Sequence, residues 1–196
     1  MANIDNTPHI IRETNAGYDI LDIRDEMLRN REVECVGVID AQMLNSIARQ
    51  LRFLARESAT EPITLFVNSD GGEVNSGLAI YDVMKAIPCP IRTVCVGRAA
   101  SMGAVLFASG DQRDILPHGS VLIHDPLIPG GIGGSALQIQ EISEDLLRVR
   151  HMLAEILVRQ TGRSLEEIFA KTARDTIFTA DEAVEFGLAD RVIDTL

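Results

Sequence analysis

Short β-branched runs alternate with stretches of helical periodicity from Glu34 onward, and this alternation limits the possible folds more than any other feature of the sequence. It is typical of strand–helix–strand units that build a largely parallel sheet with helices packed on it. We therefore predict an α/β fold. Its clearest strands are expected at residues 35–39, 63–67, 91–96, 121–123 and 189–193.

The longest predicted helix covers about residues 134–161. Its apolar residues alternate three and four apart, which is the spacing of a coiled-coil seam. Glu144 with Arg148, and Glu155 with Arg159, are spaced to form ion pairs along its flank. We expect this helix to project into solvent and to need a partner surface for its seam, which consists of Ile139, Ile142, Leu146, Val149, Leu153 and Ile156.

Capping residues predict further helix boundaries. Gly162 is suited to end the long helix. Two capping boxes, Ser164 with Glu167 and Thr179 with Glu182, each predict the start of another helix. Helices are also expected after Asp40, at residues 76–86 and from about Ser101.

Length and composition favour a single domain, because a chain of 196 residues, 46% of them hydrophobic, can bury about two-thirds of its unfolded surface around one core. The 29 acidic residues outnumber the 18 basic ones, which gives a formal charge of -11. That charge opposes phosphate backbones and anionic lipid headgroups, so nucleic acid and membranes are not expected partners. The polar first ~17 residues are expected to be mobile.

The cysteines indicate a reducing compartment. Cys35, Cys89 and Cys95 cannot all pair within the chain, and two of them fall in apolar runs where reduced cysteine behaves as a small hydrophobe. The first residues contain no basic segment followed by an apolar one, and no apolar stretch approaches the ~20 residues of a membrane span. We therefore expect the protein in the cytoplasm.

Ser101 is the clearest candidate for a catalytic residue. The segment GRAASMG, residues 97–103, places small residues around a serine where a predicted strand becomes a helix. Small neighbours permit a sharp turn, and a helix N-terminus offers free amides to an oxyanion. The segment is not the G-x-S-x-G elbow, because Ala99 stands in place of the first glycine. The alternative is a serine that only caps the helix, which is the commoner role.

His124 is the candidate general base, because it follows the predicted strand at residues 121–123, and side chains at the carboxyl ends of parallel strands reach the active crevice. The alternative is a histidine that only hydrogen-bonds across a strand end. An acid that orients the imidazole would complete the set. Asp175 lies in a short connection between two predicted helices, and Asp125 and Asp181 are the other candidates.

Two glycine-rich segments complete the list of candidates. Gly71 and Gly72 follow a predicted strand, where an amide could stabilise an oxyanion or where the chain simply makes a tight turn. Residues 130–134, GGIGG, suggest a phosphate loop, but the chain contains no G-x-x-x-x-G-K-[ST] motif. We interpret them as a flexible link and expect no nucleotide, metal or other cofactor.

Four ordered motifs resemble the proteolytic subunits of the Clp protease family, within the wider Clp and crotonase-like fold group. They are NSDGG at 68–72, GRAASMG at 97–103, LIHDP at 122–126, and RD at 174–175 ahead of TADEA at 179–183. The resemblance covers residues 18–193. It implies an α/β fold of repeated β-β-α and βαβ units, with a flexible axial segment at 1–17, one peptidase domain at 18–196 and a handle helix at about 134–161.

The resemblance also implies the roles of individual residues. Ser101 corresponds to the nucleophile, His124 to the general base and Asp175 to the orienting acid of a serine endopeptidase. The backbone amides of Gly71 and Met102 correspond to the oxyanion donors. Neither a cofactor nor a metal is part of this machinery.

Assembly is a further implication of the resemblance. Handle helices of the family pack two stacked heptameric rings against each other, and Arg174 resembles the ring-contact arginine. A separate hexameric Clp ATPase unfolds protein substrates and feeds them through an axial pore. This division of labour agrees with the missing nucleotide motif.

The chain departs from the family pattern at Asp70, where the family usually has proline, and in the lengths of the segments around Tyr18. One alternative is therefore a catalytically weak or structural ring subunit paired with an active paralogue; the complete set of triad residues argues against it. Another is an acyl-CoA enzyme of the crotonase type. The serine and histidine, in place of acids in the crevice, argue against that second alternative.

Overall fold

The computed structural model describes residues 9–15 and 17–196. Its first elements in chain order are β1 (His9–Thr14), β2 (Gly17–Asp22), α1 (Ile23–Arg29), β3 (Glu32–Ile39), α2 (Ala41–Glu57), β4 (Ile63–Gly72), α3 (Val74–Ala86) and β5 (Ile91–Ala100). The remaining elements are α4 (Met102–Ala108), β6 (Gln112–Ile115), β7 (Ser120–Ile123), α5 (Ala136–Thr161), α6 (Leu165–Thr172), β8 (Thr176–Thr179), α7 (Ala180–Phe186) and β9 (Arg191–Val192).

The main sheet has the strand order β3-β4-β5-β6-β9, and β7 pairs with both β5 and β8. Every pair in it is parallel except β7 with β8, which is antiparallel. Helix α2 buries Ile47, Leu51 and Leu54, and all seven residues of α4 are buried. The predicted α/β fold with a largely parallel sheet is confirmed.

The strands run further than their apolar patterns predicted. β4 continues past Val67 to Gly72 and β5 continues past Val96 to Ala100, because small and polar residues stay in the ladder. Gly72 pairs with Ile39 of β3 in this extension. The sequence interpretation did not include the short strands β6 and β8, the helix α1 or the hairpin of β1 with β2.

The hairpin precedes the main sheet. β1 and β2 are antiparallel, and Ile11 pairs with Ile20 at positions where both side chains are largely exposed. The predicted division between an axial segment at 1–17 and the domain at 18–196 falls inside this hairpin. Residues 1–8 of that segment lie outside the described residues, and its axial role stays a prediction.

The long helix is confirmed as α5, which begins with a capping box of Ser135 and Gln138 and ends at Gly162 in the left-handed conformation. The half that contains Leu153 and Ile156 is buried against the domain, whereas Ile139 in the other half is exposed. The helix therefore projects from the domain by its N-terminal half.

The ion pairs along α5 differ from those predicted. Arg148 pairs with Asp145 one turn earlier, and Glu155 lies 3.4 Å from Nδ1 of His151. Acids three or four residues before or after a base compete for it on a helix surface, so spacing alone does not select the partner.

The capping boxes of α6 and α7 are confirmed, with Ser164 and Thr179 as the N-caps. Among the described helices, none combines the length and apolar character that a bilayer crossing requires.

A buried carboxylate joins three strands of the sheet. Asp114 in β6 is inaccessible to solvent, and its oxygens accept hydrogen bonds from Arg92 Nε at 2.6 Å, Gln112 Nε2 at 2.8 Å and Arg191 Nε at 2.8 Å. Burial acts to raise the pKa of Asp114, but the hydrogen bonds from Arg191, Arg92 and Gln112 together hold it below its ordinary value of 3.8. The ionised carboxylate therefore stabilises the fold.

We predict that Asp114→Asn lowers the free energy of unfolding by about 3 kcal/mol at neutral pH, because it leaves two guanidinium groups without their anion. The melting temperature should fall by about 6–12 °C. Because the pKa of Asp114 is lower in the folded state, its stabilisation is present above the ordinary pKa and lost as pH falls through the folded-state value. Thermal unfolding from about pH 7 to about pH 3 should give a flatter stability profile for the variant.

Asp82→Asn, at an exposed position of α3, is the matched control for this change. Equal stability and equal acid sensitivity of wild type, Asp82→Asn and Asp114→Asn would contradict the assigned role of Asp114.

Candidate active site

Ser101 occupies a strained turn between two buried elements. It follows the last residue of β5 and precedes the first residue of α4, with φ 54° and ψ −123°. Arg31 is the other non-glycine residue with positive φ among the described residues. Such a conformation costs about 1–3 kcal/mol and recurs at functional sites. The Ser101 N–H donates to Leu122 O at 2.9 Å, which ties the turn to β7.

The side chain of Ser101 does not cap α4. Ser101 stands at the N-cap position, but its side chain makes no capping hydrogen bond. Instead the residue lines a cleft, together with His124. The structure therefore shows no contact that supports the alternative of a serine that only caps the helix.

Strand pairing places His124 next to Ser101. β5 and β7 are parallel neighbours, and Ala100 of β5 is in register with Leu122 of β7. Ser101 follows β5 directly and His124 follows β7, so both side chains leave the same edge of the sheet. The side chain of His124 is 18% exposed, so part of the imidazole remains accessible.

Asp175 lies opposite His124 because β8 runs antiparallel to β7. Ile123 pairs with Thr176, so the residues just outside this pair, His124 and Asp175, face each other. His124 Nδ1 and Asp175 Oδ1 are 3.7 Å apart, which is close enough for an ion pair but long for a hydrogen bond. The sequence placed Asp175 in a connection, whereas Thr176, the next residue, begins a strand.

The other two acids have different environments. Asp125 Oδ2 accepts a hydrogen bond from Arg150 Nε at 2.7 Å. Asp181 lies in the first turn of α7. Of the three candidate acids, Asp175 is therefore the one that the structure pairs with the imidazole of His124.

The glycine turn at the end of β4 lies directly against Ser101. A Cβ added to Gly71 would come within 2.6 Å of Ser101 Cβ and 3.1 Å of Met102 N, and Gly71 has φ +98°. Both the space and the backbone conformation therefore require glycine at this position.

The backbone N–H groups of this turn have different hydrogen-bond partners. The Gly71 N–H, a predicted oxyanion donor, donates to Ser69 Oγ at 3.0 Å. The Glu73 N–H donates to Ile39 O of β3 at 2.7 Å. The N–H groups on either side of Gly72 are therefore both engaged on the β3 side, that of Glu73 directly and that of Gly71 through Ser69 Oγ, which binds Gly37 O.

The Gly72 and Met102 amides both lack a regular backbone acceptor near Ser101. The register of β4 with β5 ends at Ser69 and Ala99, so Gly72 has no ladder partner on that side. Met102 is the first residue of α4, and the N–H of a first helical residue has no acceptor within its helix. The family resemblance implied Gly71 as a donor, and the direction of either glycine N–H depends on the pairing of β4 with β3, which the sequence alone does not show.

The wall of the cleft beyond Ser101 and His124 is apolar, with a charged pair on one side. Arg150 binds Asp125 and also stacks over Phe169, with its Cζ 3.9 Å from the ring centroid. The rest of the cleft is lined mainly by apolar side chains. Its apolar walls come from Val74, Met102, Val105, Leu153 and Leu157.

Two charged residues flank the site. Asp70, in the glycine turn, forms an ion pair with Arg98 Nε at 3.1 Å. Both side chains of this pair are exposed, so the pair adds little to stability. Arg174, next to Asp175, is exposed. Within the described part of the chain, no group of three or more His, Cys, Asp and Glu side chains is arranged to hold a metal ion.

Comparison with known families agrees with this arrangement. A family model described as Clp protease matches residues 15–196. The match covers more than half of the chain and includes β3 through β9, the glycine turn, and the turns that contain Ser101, His124 and Asp175. The chain therefore belongs to the Clp protease family.

Proposed function

We propose that this chain is a serine endopeptidase, the proteolytic subunit of an ATP-dependent Clp protease, with Ser101, His124 and Asp175 as its catalytic triad. One observation carries the proposal: a strained serine that caps nothing shares a cleft with a histidine, and that histidine contacts a carboxylate across an antiparallel strand pair. The family match supports a peptidase of this type.

We assign a different role to each nitrogen of the imidazole. Asp175 lies on the Nδ1 side of His124, which leaves Nε2 for Ser101. His124 accepts the proton of the Ser101 hydroxyl as its oxygen attacks a peptide carbonyl, and the acid stabilises the imidazolium. The proton then passes to the leaving amine. The acyl group on Ser101 is released when His124 activates a water in the same way.

The developing oxyanion needs donors beside Ser101. We assign this role to the amides of Met102 and Gly72, because these two lack backbone acceptors on the Ser101 side. The family resemblance implied the same role for Gly71, whose N–H donates to Ser69 Oγ. Because Gly71 has no Cβ, it also leaves space beside Ser101. Removing one such donor typically costs about 10²–10³ in turnover.

The proposal includes assembly and partners. The exposed apolar residues on α5, among them Leu137 and Ile139, suit packing between two stacked heptameric rings. Arg174 would make a ring contact, which places assembly one residue from the triad acid. The 3.7 Å separation of His124 from Asp175 leaves room for that contact to tighten the triad.

Unfolded proteins and peptides are the proposed substrates, delivered by a hexameric Clp ATPase. We also place the protein in the cytoplasm. The buried free thiols of Cys35, Cys89 and Cys95 support a reducing compartment.

Replacing the nucleophile should abolish activity. We expect Ser101→Ala to lower kcat for a fluorogenic peptide by about 10⁴-fold or more and to eliminate labelling by a fluorophosphonate. Ser109→Ala, which removes another serine hydroxyl of the same region, should retain both. Hydrolysis that persists in Ser101→Ala would contradict the assignment, and intact wild-type rings without hydrolysis would favour the structural-subunit alternative.

Replacing the acid tests the choice of Asp175. Asp175→Asn should lower kcat by about 10²–10⁴-fold, because an amide neither favours the correct tautomer of His124 nor stabilises its charged form. Asp181→Asn, an equally conservative change of a nearby exposed acid, is the control. Equal kcat values for the two variants in steady-state peptide assays would exclude Asp175 as the orienting group.

A further inference from the structure

We propose that Ser69 is a positioning residue for the reaction, whose hydroxyl holds the glycine turn in the orientation that aims the Gly72 amide at the oxyanion. This inference rests on the proposed function. Ser69 does not line the cleft with Ser101 and His124, and its side chain acts on the reaction through Gly71.

The ladder between β3 and β4 is broken before the glycine turn. Their register shifts between Val36 and Val38, and Gly37 between them has φ 95°. A bulge of this kind leaves backbone groups of the two strands without their regular partners. Here those groups are the Gly37 carbonyl on β3 and the Gly71 N–H on β4.

The Ser69 hydroxyl bridges this break. Its Oγ donates to Gly37 O at 2.6 Å and accepts from the Gly71 N–H at 3.0 Å. One hydroxyl thus replaces the missing ladder bond and links β3 to the turn. Ser69 is 2% exposed, so water is not at hand to replace either hydrogen bond.

Fixing Gly71 also fixes the next amide. Gly71 has no side chain to restrain its torsions, and its positive φ lies in a region that glycine leaves easily. The hydrogen bond to Ser69 sets the plane of the peptide before Gly71, and the bond from the Glu73 N–H to Ile39 O sets the plane of the peptide after Gly72. The peptide between them, which carries the Gly72 N–H, is thus held from both sides. A displacement of about 1 Å at a reacting group is enough to cost 10²-fold in rate.

The same serine also contacts the element that carries the other proposed donor. A Cβ added to Gly103 in the first turn of α4 would come within 2.9 Å of Ser69 O and 3.2 Å of Ser69 Cβ. Ser69 therefore packs beside the turn of helix that begins with Met102. Its position sets the spacing between the two amides that we assign to the oxyanion.

The test compares Ser69→Ala with Ser109→Ala. Ser109 is a matched control because it is also buried, at 1% exposure, and its Oγ donates to a backbone carbonyl, Val105 O, at 2.6 Å. Three kinds of measurement are compared. Steady-state kinetics with a fluorogenic peptide give kcat and KM, and inhibition assays give the constants of a peptide aldehyde and of the corresponding alcohol. Hydrogen exchange gives the protection of the Gly71 amide.

For Ser69→Ala we expect kcat to fall by about 10- to 100-fold, with KM within about threefold of wild type. Binding of the aldehyde, which forms a tetrahedral adduct, should weaken by a similar factor, whereas binding of the alcohol should not change. Exchange of the Gly71 amide should accelerate by about 10-fold or more. Ser109→Ala should show none of these changes.

The proposal is overturned if Ser69→Ala keeps the wild-type kcat and aldehyde affinity, or changes them no more than Ser109→Ala does. If wild type itself hydrolyses no peptide, the proposed function fails, and faster exchange of the Gly71 amide in Ser69→Ala alone then decides whether Ser69 holds the turn. If Ser69→Ala does not fold, Ser69→Cys keeps the volume with a weaker hydrogen-bonding group, and its kcat should also fall below wild type with folding intact.

Discussion

The pairing of β7 with two different strands determines how the candidate site is built. β7 has four residues, and it lies parallel to β5 on one side and antiparallel to β8 on the other. The parallel partner ends just before Ser101, and the antiparallel partner begins just after Asp175. Ser101 and Asp175 therefore both lie at the end of β7 that His124 follows. Three residues that are distant in sequence share one edge of the sheet for this reason.

The strand that carries Ser101 is held at both ends. Near its start, Arg92 binds the buried carboxylate of Asp114, which also binds Arg191 of β9. At its far end, the Ser101 N–H is bound by Leu122 of β7, and Gly71 packs against the turn. A strained backbone persists only where its surroundings fix it, and these contacts supply that restraint.

Much of the fold and of the site could be predicted from the sequence because local rules govern it. Capping boxes located α6 and α7, apolar periodicity located α5, and a serine among small residues after an apolar run indicated Ser101. Each of these signals lies within a few residues of the structure that it predicts.

Non-local pairing determines what the sequence did not reveal. The extension of β4 through Ser69 to Gly72 depends on β3, and the strand that follows Asp175 depends on β7. The hydrogen bond from the Gly71 N–H to Ser69 depends on a bulge at Gly37, and no local sequence pattern indicates that bulge. The sequence thus indicated the residues that the structure gathers at the candidate site, but not that the Gly71 amide is bound by Ser69.

The proposed reaction depends on an alcohol, an imidazole and a carboxylate acting together beside two amides. A crystal structure of the assembled protein after reaction with a peptidyl phosphonate tests this most directly. We predict a phosphorus bonded to Ser101 Oγ, with its oxygen about 2.7–3.1 Å from the nitrogens of Met102 and Gly72, and His124 between Ser101 and Asp175. An adduct on another residue, or an imidazole separated from Ser101 by packed protein, would contradict the account.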